Sequence, residues 1–161
     1  MAETPTTGTA PQQSMQVRVL GQYVKDLSFE SPNIAKLLSG APENPNLNLE
    51  LNVVPTMLRA DVHEVALTFK AEAKSATGTI YDLEVIYAGL FEIKNAPPEA
   101  LEPMLNINSA ALLFPFLRRI VADLTREGGF PPLLLDPVDF GSLYMKKREA
   151  IGTPPPKSMM S

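Results

Sequence analysis

The chain has 161 residues, 45% of them hydrophobic, with a net charge of −4, a pI near 5.0 and no cysteine. That length suits one domain that buries about two-thirds of the surface its unfolded chain exposes. The acidic balance and the lack of a basic run exclude the phosphate neutralisation that non-specific nucleic-acid binding needs, and without thiols there are no disulfides, thiolate metal sites or thiol nucleophiles.

Residues 1–14 are rich in Thr, Pro and Gln and lack both a basic start and an apolar stretch, so the sequence predicts a disordered N-terminal tail rather than a signal peptide. No stretch reaches the ~20 apolar residues of a membrane span, which points to a cytoplasmic protein with no membrane insertion. The folded domain is expected over residues 15–151. Its first strand, residues 16–25, carries Val17, Val19, Leu20, Tyr23 and Val24, with an alternation that slips at Leu20-Gly21 as a bulge would make it slip. Residues 26–45 hold three prolines, which argue against regular structure, yet also Leu27, Phe29, Ile34, Leu37 and Leu38. Leu47, Leu49, Leu51 and Val53 then alternate with polar residues as a strand, which Pro55 is expected to stop.

A long hairpin dominates the middle of the chain. In residues 63–74 the positions Val65, Leu67, Phe69, Ala71 and Ala73 are apolar, and Glu64, Thr68, Lys70, Glu72 and Lys74 stand at even positions. Residues 79–94 repeat the pattern with Tyr81, Leu83, Val85, Tyr87, Phe91 and Ile93, after a turn at residues 75–78. At ~3.3 Å per residue each arm is roughly 40 Å long and needs a large cover. The stripe Leu83, Val85 and Tyr87 is accordingly expected beneath a helix or at an oligomer interface.

The cover follows in the sequence. Leu113, Phe116 or Leu117, Ile120 and Leu124 recur at helical spacing over residues 108–127, with Pro115 predicting a kink near Phe114 and Gly128-Gly129 a stop. Asp136 as cap and Pro137 at the first helical position predict a short helix through Ala150. The proline-rich residues 152–161 are read as a disordered C-terminal tail. Strands followed by helices make this an α+β domain: a four-stranded antiparallel meander, a long kinked helix and a short C-terminal helix.

Catalytic chemistry is hard to place. The single histidine, His63, has no converging partners and reads as a half-exposed strand residue, and neither a phosphate-binding glycine loop nor a metal-ligand spacing is present. No metal or cofactor is called for. Binding is better supported, because Ile86, Ala88 and Leu90 lie on the polar face of the last strand, and Leu27, Phe29, Phe130, Leu133, Leu134 and Leu135 lie in connections. Such a surplus suggests apolar grooves for extended polypeptide segments. A carrier for a small apolar ligand is the alternative, and a hydrolase or isomerase a distant third.

Three motifs in order, KDLSFESPN at 25–33, LFPF at 113–116 and LDPVDFGSLY at 135–144, resemble the SecB protein-export chaperone family over residues 16–145. The resemblance implies a cytosolic homotetramer, a dimer of dimers, that holds unfolded precursor polypeptides without ATP or cofactor and delivers them to the SecA translocation ATPase. It implies client-groove aromatics at Tyr81, Phe116 and Tyr144 under a loop bearing Leu27 and Phe29, and SecA docking at Asp26, Glu30 and Glu84. Two departures stand out: Asp82 occupies a docking position that is apolar in the family, and the C-terminal tail carries only Lys157 where the family's is often acidic.

Overall fold

A computed structural model describes residues 13–40 and 44–152, so the expected tails lie almost wholly outside the described residues. The chain runs β1 (Gln16–Glu30), α1 (Ile34–Ser39), β2 (Asn46–Arg59), β3 (Val62–Ser75), β4 (Gly78–Lys94), α2 (Pro98–Pro103), a π-helical turn (Met104–Asn108), α3 (Ser109–Glu127) and α4 (Phe140–Ile151). The α+β architecture predicted from periodicity is the one observed: a four-stranded antiparallel sheet, a long joined helix and a short last helix.

The strand order differs from the expected meander. It is β1-β4-β3-β2, so β2, β3 and β4 are consecutive neighbours while β1 lies beyond β4, a Greek-key arrangement whose long connection spans the two sheet edges. Both edge strands are longer than the sequence suggested. β1 runs through Leu27 and Phe29 to Glu30, because bulges at Leu20 and Lys25 each shift the parity by one. They keep Val17, Val19, Val24, Leu27 and Phe29 on one face although their numbers mix odd and even. β2 continues past Pro55, which sits opposite Val65 on an outer strand, where an N–H pointing to solvent is not needed.

The central hairpin follows its predicted parity. Rows such as Leu51-Phe69-Val85-Leu27 and Val53-Leu67-Tyr87-Val24 cross all four strands on the inner face. Over them lies the joined helix Pro98–Glu127, whose Ala110, Leu113, Leu117 and Val121 have no exposed surface. Each buried Leu or Val among them contributes about 1.5–3 kcal/mol by leaving water. Contrary to expectation, this helix is apolar and long enough to cross a membrane by composition, with a mean hydropathy of 1.2 in its most apolar stretch. One side of it, through Ala110, Leu113, Leu117 and Val121, is buried against the sheet, while Leu112 and Phe116 on the other side are exposed.

Leu83, Val85 and Tyr87 are at most 8% exposed beneath this helix, so they belong to the core of the single chain and have no surface to give a second copy. His63, expected half-exposed, is buried in the inner row Met57-His63-Phe91, with Nδ1 lacking a partner. The stop at Gly129 holds, at φ +90: the N–H groups of Gly129 and Phe130 bond back to Arg126 and Thr125, both at 3.0 Å. α4 starts later than predicted. Its cap is Asp139 rather than Asp136, with Oδ1 accepting from the Ser142 N–H at 3.1 Å, which also holds the Asp139 carboxyl below its ordinary range.

Candidate functional site

At one end of the sheet the inner face is aromatic. Phe29 on β1 stacks on Tyr81 of β4 with centroids 5.7 Å apart, and Phe130, just past α3, closes the trio at 5.1 Å from Tyr81 and 6.3 Å from Phe29. Offset aromatic contacts of this kind add about 0.5–1.5 kcal/mol beyond their buried area. Leu27 follows on the same face, 42% exposed. Leu27 and Phe29 are therefore strand residues at the open edge of the sheet rather than members of a roofing loop.

The other predicted groove residues lie elsewhere. Phe116 is 48% exposed on α3 and stacks on Tyr87 at 5.9 Å, while the Tyr87 hydroxyl donates to Gln22 Oε1 at 3.1 Å. Tyr144 is buried on α4 toward the opposite sheet edge, where the Arg148 guanidinium donates to its hydroxyl at 2.8 Å and pairs with Glu102 at 2.9 Å. Burial pushes the Tyr144 hydroxyl's pKa up. Beside it, two hollows follow β2. One, of about 250 Å³, lies among Leu49, Leu51, Phe69, Phe114, Leu135 and Val138. The other, of about 310 Å³, lies among Asn52, Val53, Asn106, Leu143, Tyr144 and Lys147. The linker between α3 and α4 is pinned over this side by Thr125, which accepts the Leu133 N–H at 2.9 Å. Leu27, Phe29 and Tyr81 are thus brought together, whereas Phe116 and Tyr144 stand apart from them.

The outer face of the aromatic end is acidic. The rows Asn48-Glu72-Asp82-Glu30 and Glu50-Lys70-Glu84-Ser28 cross the sheet side by side, and Asp26 follows on the next row opposite Ile86. The side chains of the first two rows surround an open depression of about 370 Å³ bordered by Glu30, Glu50, Glu72, Asp82 and Glu84 together with Lys70, and Lys74 Nζ pairs with Glu72 at 2.7 Å. Asp26, Glu30 and Glu84 therefore share one face. Glu50 and Glu72 join them. Their alternation with Leu49, Leu51, Ala71 and Ala73 was the available signal, but the order of the strands was needed to bring them alongside.

Farther along the outer face, Glu64 is buried and pairs with Lys25 Nζ at 2.7 Å, while the Tyr23 hydroxyl donates to its other oxygen. The Lys25 and Tyr23 bonds hold the Glu64 carboxyl below its ordinary range. Burial and then Glu64 push the Tyr23 hydroxyl up to about 12. Among the described residues, no group of three or more His, Asp or Glu side chains could hold a metal ion.

The family model described as preprotein translocase subunit SecB matches residues 10–150. A protein-export protein SecB of a Bradyrhizobium species is 48% identical over 134 residues, spanning 83% of this chain and 83% of the relative. That of Zymomonas mobilis is 44% identical over 134 residues, with 83% and 81% covered. Among solved structures, a SecB-like chaperone of Mycobacterium tuberculosis, in complex with a ChAD peptide from an antitoxin, superposes with a TM-score of 0.60 at 17% identity, covering 76% of this chain and 90% of that one.

Proposed function

The chain belongs to the SecB family, and from that premise we propose that it is a cytoplasmic holdase for precursor polypeptides bound for export. It keeps them unfolded without ATP or a cofactor and delivers them to the SecA ATPase. The observation that carries this reading is the division of one sheet end between aromatic and acidic faces. On the inner side, Phe29 and Phe130, half-buried and packed over the buried Tyr81, offer an apolar wall suited to chains of varied sequence, for which burial of apolar surface is the common attraction. On the outer side, Asp26, Glu30 and Glu84 stand among further carboxylates and would attract a basic docking module. A client and SecA then occupy opposite sides of the same strands.

Assembly into a homotetramer, a dimer of dimers, completes the proposal. Its surfaces are not Leu83, Val85 and Tyr87, which the chain buries for itself. Two exposed apolar strips fit better: Val17, Val19, Val24 and Leu27 along the free edge of β1, and Leu112 with Phe116 on the outside of α3. A free strand edge beside such a strip is a template for pairing with another chain.

The test is to dilute a chemically unfolded precursor into the protein without nucleotide and follow light scattering, with sedimentation run in parallel. Suppression of aggregation at near-stoichiometric tetramer is expected. Unchanged aggregation in excess chaperone would contradict the reading.

A further inference from the structure

The two glycines after α3 do different work. Gly129, at φ +90, makes the turn, and a side chain there would meet nothing within 4 Å. Gly128 has φ −73 and ψ −4, a helical conformation open to any residue, so the helix stop does not explain a glycine there. Its surroundings do: a Cβ at Gly128 would lie 2.6 Å from Cε1 of Phe29 and closer still to Cζ. The far edge of the Phe29 ring occupies the volume of the missing side chain.

We propose that Gly128 is a positioning residue of the client site: its bare backbone forms the berth that lays the Phe29 ring on Tyr81 and so sets the preference for aromatic side chains in bound polypeptide. This rests on the holdase reading. Phe29 stands near the end of an edge strand whose neighbours Leu27, Ser28 and Glu30 are all exposed, so local packing on β1 does little to fix its ring. Gly128 supplies that constraint from the end of α3. Any side chain at 128 would push the ring out and open the Phe29-Tyr81 stack, leaving Tyr81 and Phe130 without their third wall.

The test compares Gly128→Ala, Gly129→Ala and Gly128→Ala with Phe29→Leu, whose shorter side chain lacks the two clashing atoms. Ring-to-ring nuclear Overhauser effects between Phe29 and Tyr81 are recorded, with melting curves and affinities for two unfolded peptides of equal length, one rich in Phe and one in Leu. Gly128→Ala is expected to lose the Phe29-Tyr81 cross-peaks and weaken the Phe-rich peptide about two- to tenfold relative to the Leu-rich one. Gly129→Ala is expected to lower the melting temperature while keeping that ratio. The leucine change is expected to restore the melting temperature lost in Gly128→Ala. Retained cross-peaks with an unchanged peptide ratio, or melting effects that simply add, would overturn the proposal. If the wild type bound neither peptide the holdase reading would fall, while the melting cycle would still decide the berth.

Discussion

The two faces of the sheet at its Phe29 end differ in every respect except the backbone they share. Phe29 points inward and Glu30 outward; Tyr81 inward and Asp82 outward; Leu83 inward and Glu84 outward. Inside, burial makes each position sensitive to volume and charge; outside, solvent makes it tolerant. A period of two therefore lets one strand present an inner aromatic and apolar face and an outer acidic face with no shared side chain. Mutations one residue apart should then have unrelated consequences.

The largest break is expected at Val85, which is wholly buried beneath α3. Val85→Asp places an unpartnered charge in the core at a cost of several kcal/mol. Loss of the folded chain is expected, rather than dissociation of a folded tetramer. Circular dichroism melts with sedimentation distinguish these, and a stably folded monomer would place Val85 at a subunit contact instead.

Next come the aromatics, where burial separates residues that look alike in sequence. Tyr144 is 3% exposed, so Tyr144→Ala should cost about 3 kcal/mol or more, whereas Phe116→Ala, at a half-exposed ring, should cost about 1 kcal/mol. Chemical denaturation of both variants checks the order, and equal losses would show that Phe116 is covered in the assembled protein.

A smaller effect is expected on the outer face at Glu64, the one buried carboxylate there among the described residues. Its pKa is lowered from 4.5 chiefly by Lys25 and then by Tyr23, so its stabilisation is fully present above pH 4.5 and drains away as pH falls through the lower folded value. Glu64→Gln should lose about 1–2 kcal/mol at neutral pH and show a flatter stability profile below pH 4.5. Parallel profiles for mutant and wild type would remove the pairing from the account.

The sequence made the hairpin legible because both arms are covered on one face, and the alternation of Val65, Leu67 and Phe69 records that covering directly. It hid the edges. Pro55 looks like a terminator because nothing local reveals that its strand is outermost, and the two bulges of β1 disguise Leu27 and Phe29 as loop residues. The outward face could be reached by parity at Glu84 and only by resemblance at Asp26 and Glu30, and Glu50 and Glu72 enter it only once β2 and β3 are known to lie alongside. Phe130 and Gly128 complete the aromatic end through a contact nearly 50 residues or more away in sequence, which no periodicity encodes.

The smallest expected effect on folding is at Glu84, and there the comparison is decided. Glu84→Lys should change stability by no more than about 0.5 kcal/mol and leave suppression of client aggregation intact. Titration calorimetry of wild type and mutant against SecA at low and high salt measures the outer face alone. Weaker binding by the mutant at low salt, with less salt dependence than the wild type, is the predicted result, since attraction between exposed charges is screened over about 8 Å at physiological ionic strength. Equal affinity at low salt would contradict the assignment of docking to the acidic face.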